Sequence, residues 1–194
     1  MFRVLRERST MLDTTFQDRV NVLAHETIQL CYHCHKCTAG CPVAQDMVHG
    51  PDIILRMVQL GQKQEALTSP DIWLCAGCET CGARCPNDID IAHVMDALRQ
   101  VAVAEGVRPA VPNVKRFHDI FLTVVGLTGE MHEAGLMGAY ELLSGDLFKD
   151  PSIMALAANL FVKGKIPVVP QLSKNRSRVQ RVIEKSRQGD TATR

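Results

Sequence analysis

Apolar residues along this chain recur at helical rather than alternating spacing. Ile54, Leu55 and Val58 share one face of a segment that opens at Pro51 and runs out near Gly61, with proline in the first turn and glycine as the stop. Asp90 stands as a cap before Ile91, Val94, Met95, Leu98 and Val101, and Gly106 closes that run. Ser69-Pro70 is a cap-then-proline start for a short turn leading to Trp73 and Cys75. Phe16, Val20, Leu23, Ile28 and Leu30 predict a further helix nearer the N-terminus. Past Gly106, Asn113 is expected to cap a helix carrying Val114, Phe117, Phe121 and Val124. Another is expected from Asp150-Pro151 to Gly164, followed by the stiff segment IPVVP. The chain therefore reads as all-α, and core packing or a solvated face accounts for each stripe.

Composition narrows the function classes. The 194 residues suffice for one ordinary domain with an appendage, and 46% apolar with 22% charged residues is the make-up of a globular protein. Lys and Arg number 22 against 21 Asp and Glu, so no global field argues for nucleic acid. Aromatics make up only 5%, thin for base stacking. The start, MFRVLRERSTMLDTTF, lacks the continuous apolar core of an export signal. The most apolar stretches, near Ile120 to Leu127 and Ile153 to Val162, are broken by Gly, Asn or Thr and do not approach a membrane span. A cytoplasmic location is expected, where thiols stay reduced. One local charge excess exists: KNRSRVQRVIEKSR, 174 to 187, carries six basic residues and one acid, leaving the rest near −4 against a total of +1. Val179, Val182 and Ile183 form a small stripe on it, and a docking helix or a frayed end both fit.

The cysteines change the picture most. CYHCHKCTAGCP, from Cys31 to Pro42, returns as CAGCETCGARCP, from Cys75 to Pro86, and together they hold all 8 cysteines. The spacing C-x2-C-x2-C-x3-C-P is the bacterial two-cluster ferredoxin run, in which three closely spaced cysteines hold one [4Fe–4S] cluster and the proline-terminated fourth ligates the other. The expected sets are Cys31, Cys34, Cys37 with Cys85, and Cys75, Cys78, Cys81 with Cys41, for two [4Fe–4S] clusters. Zinc sites would need only paired C-x2-C elements, disulfides suit short secreted chains, and a catalytic dithiol would use one C-x-x-C. Gly77 and Gly82 are expected to leave room for close backbone approach, and Lys36 and Arg84 to favour reduction by placing positive charge beside anionic clusters. His33 and His35 flank Cys34 and read as hydrogen-bond donors or exposed loop residues rather than ligands. No G-x-G-x-x-G opening a helix, P-loop, G-x-S-x-G or vicinal Cys-Cys accompanies the motifs, so no catalytic residue is assigned.

Residues 42 to 74, between the motifs, read as helices with the turn SPDIW, which resembles the α-helical ferredoxin domain of respiratory iron–sulfur subunits. More specifically, CYHCHKCTAGCPV, GPDIILRMVQLG, DIWLCAGCETCGARCPNDIDI and VMDALRQVA, with LFVKGKIPVVP further on, resemble the HdrC family, the dicluster iron–sulfur subunits of soluble heterodisulfide reductases, in order and spacing. That resemblance implies a fold, an α-helical ferredoxin domain with a helical C-terminal extension. The expected division is an arm over 1–15, the dicluster domain over 16–106, the extension over 107–170 and a basic tail over 171–194. The resemblance also implies a role: relaying single electrons between a flavin-containing, HdrA-like chain and a catalytic, disulfide-reducing, HdrB-like chain. Similar proteins accompany hydrogenases and formate dehydrogenases. Neither nucleic acid nor a membrane span is expected. A free-standing two-cluster carrier, or an iron–sulfur component of another anaerobic oxidoreductase, is the alternative. His35 departs from the small residue common at that place in the family.

Overall fold

The computed structural model describes residues 14–144, 158–160, 162–164 and 172–192, with side chains to 186. Among these residues there are helices and turns and no β-strand, so the fold is all-α, with further helices beyond the part that carries the cysteines. The chain divides into two compact units, Met1–Val111 and Pro112–Arg194.

In the first unit, α1 spans Thr14–Ala24, α2 Lys36–Ala39, α3 Pro51–Gln59, α4 Lys63–Thr68, α5 Asp71–Leu74, α6 Thr80–Ala83 and α7 Ile91–Ala104. Helix α7 is the centrepiece, packing against α1, α3, α4, α5 and α6. Its start is set by Asp90, whose Oδ1 accepts the N–H groups of Ala92 at 3.0 Å and His93 at 3.3 Å. Its end is set by Gly106 in the left-handed region, at φ 68°. Burying Val94, Met95, Leu98 and Val101 against Val20 of α1, Leu67 of α4 and Ile72 of α5 forms the core. Helix α3 begins with Pro51 at its first position, as its sequence predicts, and buries Ile54, Leu55 and Val58.

One expected element of this unit differs in detail. The N-terminal stripe does not run as one helix: α1 stops at Ala24, the chain turns through His25 at φ 55°, and a short 3-10 turn carries Ile28–Leu30. Ile28 is buried there while Leu30 is exposed.

In the second unit, α8 spans Pro112–Thr128, α9 Glu133–Ser144 and α10 Arg176–Ala192. Helix α8 opens at Pro112, one residue before the expected cap, and Asn113 instead accepts a hydrogen bond from Arg116 at 2.8 Å. Its buried positions are Ile120 and Thr128; Phe117 and Phe121, on the stripe read from the sequence, stack on one another and stay partly exposed. Helix α8 packs on both α9 and α10. Gln180 of α10 donates to the Gly126 carbonyl at 2.9 Å, and the Ser173 N–H to that of Thr128 at 2.9 Å, so much of the segment set apart as a basic tail lies on α8. The helix expected to start at Asp150-Pro151 lies, at that end, outside the described residues, as does IPVVP.

Candidate metal centre

The two cysteine motifs fold as two copies of one loop. In the first copy His33 and His35 hold left-handed backbone, at φ 59° and 60°. In the second, Gly77 and Glu79 stand 44 positions on and hold the same conformation, at φ 62° and 58°. Each copy then winds into a four-residue helix, α2 or α6, and these two helices pack against each other. The left-handed residues curl the backbone around its first three cysteines, which is what a C-x2-C-x2-C loop needs to point three sulfurs at one centre.

Beyond its fourth cysteine, each loop is tied to the other copy. Asn87, two residues past Cys85, donates to the carbonyl of Leu30, next to Cys31. Past Cys41, the N–H groups of Val48, His49 and Gly50 converge on the buried carboxylate of Asp71 at 2.8, 2.7 and 2.9 Å. Asp71 opens α5, the helix that leads into Cys75. Each loop's exit is thereby stapled to the other loop's entrance.

Two cavities result. Cys41, Cys75, Cys78 and Cys81 line one, with Val43, Met47, Met95 and others around them. Cys31, Cys34, Cys37 and Cys85 line the other, with His33, Asp52 and Leu55. Ile91 borders both. All eight cysteines are free thiols, from buried Cys37 and Cys81 to exposed Cys78.

The donor set fits an iron–sulfur cluster. Four thiols around a largely apolar cavity are soft ligands of the kind an iron–sulfur cluster takes. Burial pushes the Cys81 thiol up to about 11, opposed in part by the Gly82 N–H. Burial also raises Cys37 and Cys75, against the N–H groups of Thr38 and Gly77 respectively. Such thiols keep their protons until a metal takes the proton's place, and the same N–H groups are positioned to serve the sulfurs once it has. Cys78 moves the other way, its thiol lowered by hydrogen bonding to Thr80.

Several site residues escaped the sequence reading. Asp52, buried at the start of α3, accepts from Thr38 and, at 2.7 Å, from His35 Nδ1, while His33 Nδ1 lies 3.8 Å away. Gln59 donates from Nε2 to the carbonyls of Ile28 at 3.0 Å and Cys31 at 2.9 Å. Arg99 donates to the carbonyls of Ile72 and Cys75 and pairs with Asp96 at 2.7 Å. None belongs to a motif, so spacing alone could not find them. A Cβ on Gly77 would meet no protein atom within 4 Å, and its left-handed φ of 62° favours glycine, while one on Gly82 would make ordinary contact with Asp90. The crowded position is Gly40, whose added Cβ would lie 2.5 Å from Arg84 Cδ. Arg84 thus lays its side chain on the first motif's glycine, while Lys36 is exposed.

The model of the 4Fe-4S dicluster domain family matches residues 30–90, a segment bounded by the two motifs. No curated protein matches the chain. Fold, thiol-lined cavities and matched domain define an iron–sulfur protein of ferredoxin type, whose cofactor is of the [4Fe–4S] kind and whose activity is to carry electrons. Among the described residues no helix is long and apolar enough to cross a membrane.

Proposed function

We propose that this chain is the electron-transfer component of a heterodisulfide-reductase-type complex, similar to the HdrC family, and holds two [4Fe–4S] clusters. Cys31, Cys34, Cys37 and Cys85 bind the first, and Cys75, Cys78, Cys81 and Cys41 the second. The observation that carries this reading is the pair of cavities, each lined by three cysteines of one motif and the fourth of the other, with Ile91 bordering both. A bound [4Fe–4S] cluster supplies a site that takes up and releases one electron. The chain's own residues hold the thiolates, donate backbone N–H groups to sulfur and keep water from the buried side of each site.

The partners are a flavin-containing, HdrA-like chain and a catalytic, HdrB-like chain that reduces a disulfide, and a hydrogenase or formate dehydrogenase module is a further candidate donor. Support for permanent docking comes from the second unit, whose α9 leaves Met137, Leu142 and Leu143 exposed and whose α10 is basic. A free-standing carrier is the second reading, favoured by the first unit's having its own core around both cavities. Native purification under anaerobic conditions, with mass identification of what co-elutes, separates them. A flavoprotein and a chain with vicinal cysteines are expected; a lone brown protein would favour the carrier.

A further inference from the structure

The two copies of the loop differ at one equivalent pair that holds the same backbone conformation, His33 and Gly77. Gly77 takes the left-handed backbone without strain and leaves open space where a side chain would stand. His33 takes the same conformation at φ 59°, which is unfavourable for most side chains. The imidazole fills what the second copy leaves empty. It lines the cavity of Cys31, Cys34, Cys37 and Cys85 and is one-fifth exposed. Its Nδ1 lies on the Asp52 side, at 3.8 Å, while Asp52 is already engaged by His35 and Thr38. Its Nε2 is buried with no hydrogen-bond partner. A buried polar nitrogen without a partner calls for an acceptor that the chain itself does not provide.

We propose that His33 Nε2–H donates a hydrogen bond to a sulfur of the cluster in the first cavity, a contact the second cavity lacks, and thereby raises that cluster's potential. This rests on the functional reading above, in that a cluster must occupy the cavity. A sulfide is an acceptor of suitable kind, and a donor to it is worth more in the reduced, more negative state than in the oxidised one. The asymmetry between His33 and Gly77 then contributes to a difference in potential between the two sites, which lends a relay a direction.

The test is an anaerobic redox titration of the cluster-loaded full chain, followed by electron paramagnetic resonance, for wild type and His33→Gly. Glycine suits the backbone and copies the second loop. One of the two midpoint potentials is expected to fall while the other stays, with iron content unchanged, and an exchangeable proton coupling at the shifted centre should vanish. Should His33→Gly load less iron, His33→Phe, which keeps a ring and removes the donor, carries the same test with the same expected fall. Unchanged potentials in an iron-replete variant, or equal shifts of both, would overturn the inference while leaving the two-cluster reading standing. A wild-type chain that takes up no iron would overturn both.

Discussion

Gln59 and Arg99 perform the same task in the two halves of the first unit. Gln59 at the end of α3 ties the carbonyls of Ile28 and Cys31, and Arg99 on α7 ties those of Ile72 and Cys75. Ile28 and Ile72 are both buried and stand, like Cys31 and Cys75, 44 positions apart. The tether is neutral in one half and cationic in the other.

That difference is testable in charge and in shape. Arg99→Gln converts the second tether into the first, and iron content should hold while one cluster potential falls, because a positive charge near an anionic centre has gone. Arg99→Ala frees both carbonyls, and about half the iron should be lost on gel filtration. Equal potentials in Arg99→Gln and wild type, measured by redox titration, would show that the guanidinium serves geometry alone.

Asp71 makes a strong claim on stability. Its carboxylate is fully buried and accepts three backbone N–H groups within 2.9 Å. Asp71→Asn replaces an acceptor-only group by one that turns N–H against N–H, at a cost of about 2–3 kcal/mol. Thermal unfolding of the loaded protein should show the loss, and a shift within error would refute the role given to this staple.

Gly129 concerns the second unit only. At φ 84° an added Cβ would lie 2.8 Å from the Arg176 Cα, so backbone must move. Gly129→Ala should destabilise the packing of α8 and α10 by about 2–4 kcal/mol. Iron content should not change, since every residue lining the two cavities belongs to the first unit. Protease sensitivity after 112 with full iron is the expected result.

Much of this was legible in the sequence. The duplicated motif, the proline start of α3, the Asp90 cap and the Gly106 stop are local signals, and local chemistry decides them. The second unit is less legible. With only Ile120, Thr128 and Leu136 buried among its described side chains, hydrophobic periodicity marked a helix but not which face turns inward. Asp52, Asp71, Gln59 and Arg99 were invisible because each acts on backbone or side chains far along the chain, and no spacing rule joins them to a cysteine.

The iron-free chain should display its thiols unequally. Cys78 is exposed and its thiol is lowered by Thr80, whereas Cys81 is buried and raised to about 11. Alkylation near neutral pH, read residue by residue by mass spectrometry, should modify Cys78 first and Cys81 last. Uniform rates would mean that the loops lose this geometry without metal.

Paired cysteine replacements, assayed for iron and sulfide under anaerobic conditions, test the exchange of the fourth ligands most directly. The wild-type chain should hold about eight irons. Cys41→Ala with Cys75→Ala removes two sulfurs from one cavity and should leave about four irons. Cys41→Ala with Cys31→Ala takes one sulfur from each cavity and should impair both clusters. The reverse pattern, with four irons kept by the Cys41 and Cys31 pair and both clusters impaired by the Cys41 and Cys75 pair, would contradict it.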